Sequence, residues 1–281
     1  MRISRRAFLR TTIGAAVGAG VVSPALAEPW RVAVEKITVR LRRLPPAFAG
    51  FKIVQLSDLH YRPYTTLRQI AHVVDLTNRL QPDLVVITGD FVTEGHEHID
   101  ELTPILMKLQ ARHGITGVLG NHDQASGANA ITAALRQAGI EMLRNQGRAL
   151  THEGASIYLA GVDSICGGDG AYPHLNDALV GRPFDQTTIL LAHEPDYADR
   201  IPISSGISLQ LSGHSHGGQI CLPLVGALVL PDWGKKYWKG LRQLKQTQLY
   251  TNRGIGTIGV PMRVGSLPEI TEITLAPTQA S

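Results

Sequence analysis

Aromatic side chains are scarce in this chain, at 5% of 281 residues, so aliphatic and small residues must fill any interior. Cysteine is nearly absent. Cys166 and Cys221 allow at most one intramolecular bridge, which excludes a disulfide framework as a substitute for a core. In an oxidising compartment they either pair or serve as two small buried hydrophobes. Acidic residues are missing from the first 27 positions, where Arg2, Arg5, Arg6 and Arg10 stand. Those four arginines account for the whole formal charge of +4: without them 23 basic residues face 23 acidic ones. A balanced remainder excludes polyanion binding on charge grounds, and no nucleic-acid partner is expected. Internal repeats and low-complexity tracts are lacking as well. The chain length suits one large domain, and 29 glycines suit an α/β protein with many tight strand-to-loop turns.

The amino end has three parts. Ser4 to Arg10 is a basic stretch that resembles the twin-arginine export signature, Ile13 to Val22 is apolar, and Ala25-Leu26-Ala27 is a small-x-small cleavage pattern. The apolar stretch is about half the ~20 residues that a membrane span needs, so a cleaved leader over 1–27 is expected rather than an anchor. The resemblance implies the twin-arginine export machinery as a partner and a periplasmic or extracytoplasmic location. That route carries folded proteins, so a metal can be loaded before export.

Residues 28–50 read as a strand and linker: Trp30 to Leu44 alternates apolar and basic residues as an edge strand does, and Pro45-Pro46 ends it. From Phe51 one grammar recurs, in which an apolar run ends in a small residue and metal-capable side chains follow. Ile53–Ser57 precedes Asp58-Leu59-His60. Leu84–Thr88 precedes Gly89-Asp90, and Gly117–Leu119 precedes Gly120-Asn121-His122-Asp123. Ile189–Ala192 precedes His193-Glu194, and Leu209–Ser212 precedes Gly213-His214-Ser215-His216. Helical periodicity lies between, over Leu67–Leu80, Ile99–Leu109 and Ala130–Ala138, the last closed by Gly139. Strand and helix alternating at this spacing give βαβ units, whose ligands bind beyond the carboxyl ends of the strands. The domain is expected to run from 51 to 276, with a tail over 277–281.

Each cluster alone says little. Asp58 and His60 share a face if the strand end stays extended, but such pairs arise by chance. Asp90 reads equally as a turn or cap residue. His193 is a ligand or a satisfied core histidine. Asn121, His122 and Asp123 crowd one tight turn after Gly120, and His214 and His216 lie between glycines that let backbone approach closely. The ordered series is more pointed: it resembles the calcineurin-like metallophosphoesterase superfamily, and the resemblance extends from Phe51 to about Leu275.

That resemblance implies a four-layer α/β/β/α sandwich, α/β in class (α+β in some schemes), with two central mixed sheets. It implies two divalent cations (Mn, Fe or Zn): Asp58, His60, Asp90 and His216 would hold one, and Asp90, Asn121, His193 and His214 the other. Oxygen and nitrogen ligands without thiolate suit such metals. Paired cations about 3.5–4 Å apart clamp a phosphoryl oxygen and acidify a bridging water, so a phosphodiester would be cleaved by in-line attack of a metal-held hydroxide. His122 matches the family's catalytic imidazole, and Asp123 is expected to orient its ring.

The carboxyl third, with Gly217-Gly218-Gln219, Asn252-Arg253-Gly254 and Pro261-Met262-Arg263, resembles the exported bacterial phosphodiesterases of this superfamily. Arg253 and Arg263 could reach a substrate phosphate or could brace loops. Trp233–Lys239 interleaves aromatics with lysines and suits either peripheral membrane contact or a packed loop. The substrate this resemblance implies is a small phosphoester or a lipid-linked phosphate. A reading from another class is a non-catalytic metal-binding protein on the same fold. His96 and His98 read as solvated surface, and His72, His113, His152 and His174 have no partner in sequence.

Overall fold

Short β-branched and aliphatic runs form two six-stranded sheets in the computed structural model, which describes residues 28–167 and 172–278. The expected leader over 1–27 and the last three residues of the expected tail lie outside the described residues. The first half runs β1 (Ala33–Leu41), β2 (Lys52–Leu56), α1 (Leu67–Arg79), β3 (Leu84–Ile87), α2 (Ile99–Leu106), β4 (Ile115–Gly117), α3 (Asn121–Gln137) and β5 (Ile140–Met142). The second runs β6 (Gln146–His152), β7 (Ala155–Gly161), α4 (Leu175–Ala178), β8 (Thr188–Leu191), β9 (Ile207–Ser212), β10 (Cys221–Leu222), β11 (Gly226–Ala227), β12 (Gly240–Gln243), β13 (Gln248–Thr251) and β14 (Glu269–Pro277).

The first sheet has the order β1-β14-β2-β3-β4-β5 and the second β12-β13-β9-β8-β7-β6. Both are mixed: β14 is antiparallel to β2 inside an otherwise parallel sheet, and β6 and β12 are antiparallel edges of the second. The strand read ahead of the domain, β1, is the outer strand of the first sheet and pairs in parallel with β14 along its full length.

Side-chain alternation builds three cores. Ile53, Leu84 and Val86 point between the sheets, where Leu159, Ile189, Leu209 and Leu211 meet them. Their neighbours Val54, Leu56, Val85 and Ile87 face outward and receive Ile70, Val73, Leu102 and Ile131 from α1 to α3. Among the described residues the outer face of the second sheet carries α4 and short 3-10 turns over Tyr158, Leu190 and Tyr197, a thin fourth layer.

Local chemistry fixes the helices. Thr66 caps α1 reciprocally: its Oγ1 accepts from Gln69 N–H at 3.3 Å, while Gln69 Oε1 accepts from Thr66 N–H at 2.9 Å. Helix α3 starts nine residues before its expected beginning and is interrupted at Gly127, whose φ of 125° is not helical. The Asn121–Asp123 cluster is therefore a first helical turn, not a tight loop.

Candidate metal centre

All five polar clusters gather at one end of the sandwich, where β2, β3, β4, β8 and β9 deliver their carboxyl ends. The loops continue the ladders of the strands: Asp58 N–H donates to Gly89 O, His60 N–H to Asp90 O, and Gly213 N–H to His193 O, each at 2.9–3.0 Å. The backbone is unusual there. Asp58, His60, Asp90, His214 and His216 all have φ between 44° and 67°. Non-glycine residues rarely adopt this left-handed region, and such strain concentrates at functional sites. It also corrects the expectation of an extended Asp58–His60 end: β2 stops at Leu56, and the two side chains converge through a coiled loop. Two glycines permit the crowding. Gly89 has φ 95°, and a Cβ there would lie 2.7 Å from His193 Nδ1; a Cβ on Gly120 would strike the Asp90 carboxylate.

The buried side chains form two facing groups. His60 Nε2 and His216 Nε2 are 3.1 Å apart, with Asp58 Oδ1 3.4 Å from His216 Nε2. His193 Nε2 and His214 Nδ1 are 3.2 Å apart. Asp90 Oδ2 lies 3.3 Å from His60 Nε2 and 3.1 Å from His193 Nε2, so one carboxylate oxygen serves both groups. His193 donates its Nδ1–H to Thr88 O at 2.6 Å, and His214 donates its Nε2–H to Asp232 O at 2.9 Å. In their neutral forms the two rings then turn lone pairs toward each other, an arrangement that needs a cation between them. Among the described residues Asn121 Oδ1 is buried without a hydrogen-bond partner. An orphaned oxygen, four imidazole nitrogens and two carboxylates, with no thiolate, fit divalent cations of the expected kind.

Electrostatics point the same way. Burial works against the Asp90 anion, but the His193 charge and hydrogen bonds from His193 and His60 hold its pKa well below the usual range. Burial likewise opposes charge on His193, yet Asp90 raises that ring well above normal. His214 is lowered by burial and by His193, and His216 is lowered strongly by burial, His60 and Arg263. In this arrangement protons fill a role that metal cations can take over.

His122 sits at the rim, half-buried, with its ring 4.9 Å from that of His60. Its Nδ1–H donates to Thr93 O at 2.8 Å and its backbone N–H to Asp90 Oδ1 at 2.9 Å. Asp123 does not touch the ring, contrary to expectation. As the third residue of α3 it folds back to accept from the N–H groups of Gly120, Phe91 and Val92 at 2.8–3.2 Å. Burial and the Asp90 charge push its carboxyl up to about 7, against those donors.

The arginines are also corrected. Arg263 is 0% exposed and spends its guanidinium on the carbonyls of Gly256, Ser266, Arg253, Gly254 and His216. Arg253 is paired with Glu269 at 2.5 Å and Glu35 at 2.6 Å. Both brace loops. Thr88, Thr93 and Asp232 escaped the sequence reading, because they orient histidines through backbone carbonyls, which carry no residue signature.

Elsewhere, Trp233, Tyr237 and Trp238 are half-buried, and Asp196 accepts the N–H groups of Lys235, Lys236 and Tyr237. His96 is exposed. His113 and His152 are paired, Nε2 to Nδ1, at 3.1 Å. Both cysteines are free thiols; Cys221 is buried, whereas Cys166 is exposed.

The family profile described as calcineurin-like phosphoesterase matches residues 51–218. An uncharacterized metallophosphoesterase of Bacillus subtilis, YkuE, is 37% identical over 99% of both chains. Phosphodiesterase YaeI of Escherichia coli is 31% identical over 97% of this chain and 99% of its own. A Bos taurus transmembrane protein with metallophosphoesterase domain is 35% identical over 86% of this chain, which spans only 57% of that protein. Among solved structures, TT1561 of Thermus thermophilus superposes with a TM-score of 0.51 at 12% identity, over 73% of this chain and 90% of that one, a likeness of fold.

Proposed function

The chain belongs to the calcineurin-like phosphoesterase family, hydrolases acting on phosphoester bonds, and from that premise we propose that it cleaves phosphodiesters with the help of two divalent cations. The observation that carries the proposal is the single Asp90 oxygen facing both ligand groups. Asp58, His60, Asp90 and His216 hold one cation, and Asp90, Asn121, His193 and His214 the other. Bound there, Mn, Fe or Zn supplies Lewis acidity, which neutralises charge developing on a phosphoryl oxygen and makes water acidic near neutral pH. Preference for a diester over a monoester is supported by the likeness to phosphodiesterase YaeI.

The remaining steps belong to the chain. Thr93 O fixes the His122 ring through Nδ1–H, which leaves Nε2 to meet the substrate. In its protonated form that nitrogen hydrogen-bonds the phosphate and gives its proton to the departing oxygen. The buried floor holds the other rings in place: Gln55 Nε2 donates to Thr88 Oγ1 at 3.0 Å and, across the two sheets, to Ser212 O at 2.9 Å. We place the reaction outside the cytoplasm, on the reading of residues 1–27 as a twin-arginine leader.

The test is elemental analysis of purified protein, with rates on an aryl phosphodiester and its monoester. Wild type should carry about two equivalents of divalent metal per chain and favour the diester. Asp90→Asn should lose both metal and turnover. Metal content far below two equivalents under saturating conditions, with Asp90→Asn unchanged, would sink the proposal.

A further inference from the structure

An apolar finger leaves the sandwich at the metal centre. It is the hairpin of β10 and β11, closed by a turn in which Val225 N–H donates to Leu222 O at 3.2 Å. Pro223 occupies the second turn position, and Leu224 the third with φ 65°, where glycine or asparagine normally sits. A branched apolar side chain is thus held at a backbone position that disfavours it, and it is held outward. Leu224 is fully exposed, Val225 69% and Val229 54%. No charged residue stands between 217 and 231.

The finger is rooted in the ligand loop at both ends. Gly217 and Gly218, next to His216, support it through the hydrogen bond from Cys221 Sγ to Gly217 O and through the packing of Ala227 on Gly218. At its far end Asp232 O accepts from His214 Nε2. Beside it lies a cleft of about 640 Å³, with Leu222, Leu224 and Val225 on one wall and Trp238 and Lys239 on the other. The Lys239 ammonium rests 4.3 Å from the centroid of the Trp238 ring.

We propose that this finger seats in the interfacial layer of an anionic lipid bilayer, which brings the metal centre to the level of the headgroups. Apolar side chains at a protruding tip gain by leaving water for acyl chains, tryptophan favours the interface, and the lysine complements anionic headgroups. The size of the tip selects lipid over a second copy of the chain: a four-residue turn offers little of the roughly 1,200 Å² that a stable protein interface buries. Among the described residues no helix is long and apolar enough to cross a membrane, so the contact is peripheral. This surface differs from the half-buried Trp233–Lys239 segment as a whole, of which only Trp238 and Lys239 take part. Contact with vesicles is read without turnover, so the inference stands or falls apart from the hydrolytic reading.

The experiment uses the full chain with Cys166→Ser. An environment-sensitive fluorophore is attached at Leu224→Cys, or at Met107→Cys as a distant exposed control. Phosphatidylglycerol vesicles should brighten and blue-shift the label at 224 and leave it unchanged at 107, with a weaker response to phosphatidylcholine. The double substitution Leu224→Asp, Val225→Asp should lower partitioning to phosphatidylglycerol vesicles by about tenfold or more, since two apolar anchors are lost. Its rate on a soluble aryl phosphodiester should stay unchanged. An unaltered label at 224, an equal response at 107, or equal partitioning of the double variant would overturn the proposal. So would a fall in sedimentation coefficient on double substitution, which would assign the finger to a dimer.

Discussion

His122 has one nitrogen committed to a backbone carbonyl and the other bonded to no protein group among the described residues. That division of labour gives the sharpest expectation at the level of a single side chain. His122→Ala should retain wild-type metal content by elemental analysis and lose turnover by at least about a hundredfold. A non-catalytic metal binder on the same fold would show no rate to lose, and unchanged turnover would remove the role. Asp123 behaves differently. Because it caps α3 at Gly120 N–H and ties it to the loop after β3 through the N–H groups of Phe91 and Val92, Asp123→Ala should lower stability by about 2–3 kcal/mol in urea titration, the cost of leaving buried donors unpaired. An effect on rate at unchanged stability would instead restore it to the catalytic group.

Among the elements, the loops of the carboxyl third depend on Arg263. Its fully buried guanidinium satisfies carbonyls on three separate segments, and burial with the nearby Arg253 charge lowers its pKa to about 10. A lysine has neither the fork nor the reach, so Arg263→Lys should shift the denaturation midpoint by the equivalent of about 3 kcal/mol. KM for a soluble diester should change little. A raised KM with unaltered stability would return Arg263 to substrate binding. The same region shows what sequence conveys and what it hides. Strand runs such as Leu84–Ile87 are legible because apolar continuity means burial on both faces, and the histidines and aspartates after them are legible because their spacing is regular. The left-handed backbone at Asp58 and His60 is not, since nothing in residue type announces it. The early start of α3 hides behind Gly120 and Gly127, which read as breakers. Arg253 is ambiguous until Glu35, more than two hundred positions away, is seen to pair with it.

For the molecule as a whole, pH acts also at the end remote from the metal centre. His113 and His152 meet there and pack against Phe48 and Phe51. Burial, the adjoining His152 and nearby Arg148 and Arg112 lower the His113 pKa, with Asp83 opposing them. Its folded value therefore lies below the unfolded value of about 6.5, so the unfolded chain binds more protons as pH falls. The contribution to stability is complete above about 6.5 and is lost as pH drops through the folded value. His113→Phe should flatten the slope of unfolding free energy between pH 7 and 5; a slope equal to wild type would exclude this pair as its source. Divalent cations should raise Tm in proportion to their binding, and a chelator should reverse the gain, measured by calorimetry.

The parallel pairing of β1 with β14 has a practical outcome for anyone handling the protein. Ala33 lies beside Glu269 and Leu41 beside Pro277, and β14 runs against β2. The polypeptide therefore enters the sandwich next to the ligand loops and leaves it at the opposite pole, about 30 Å away along nine residues of strand. Affinity handles or reporter domains joined directly to Glu28 will crowd the ligand loops, whereas those joined directly to Pro277 will trail from the far pole and leave the loops open.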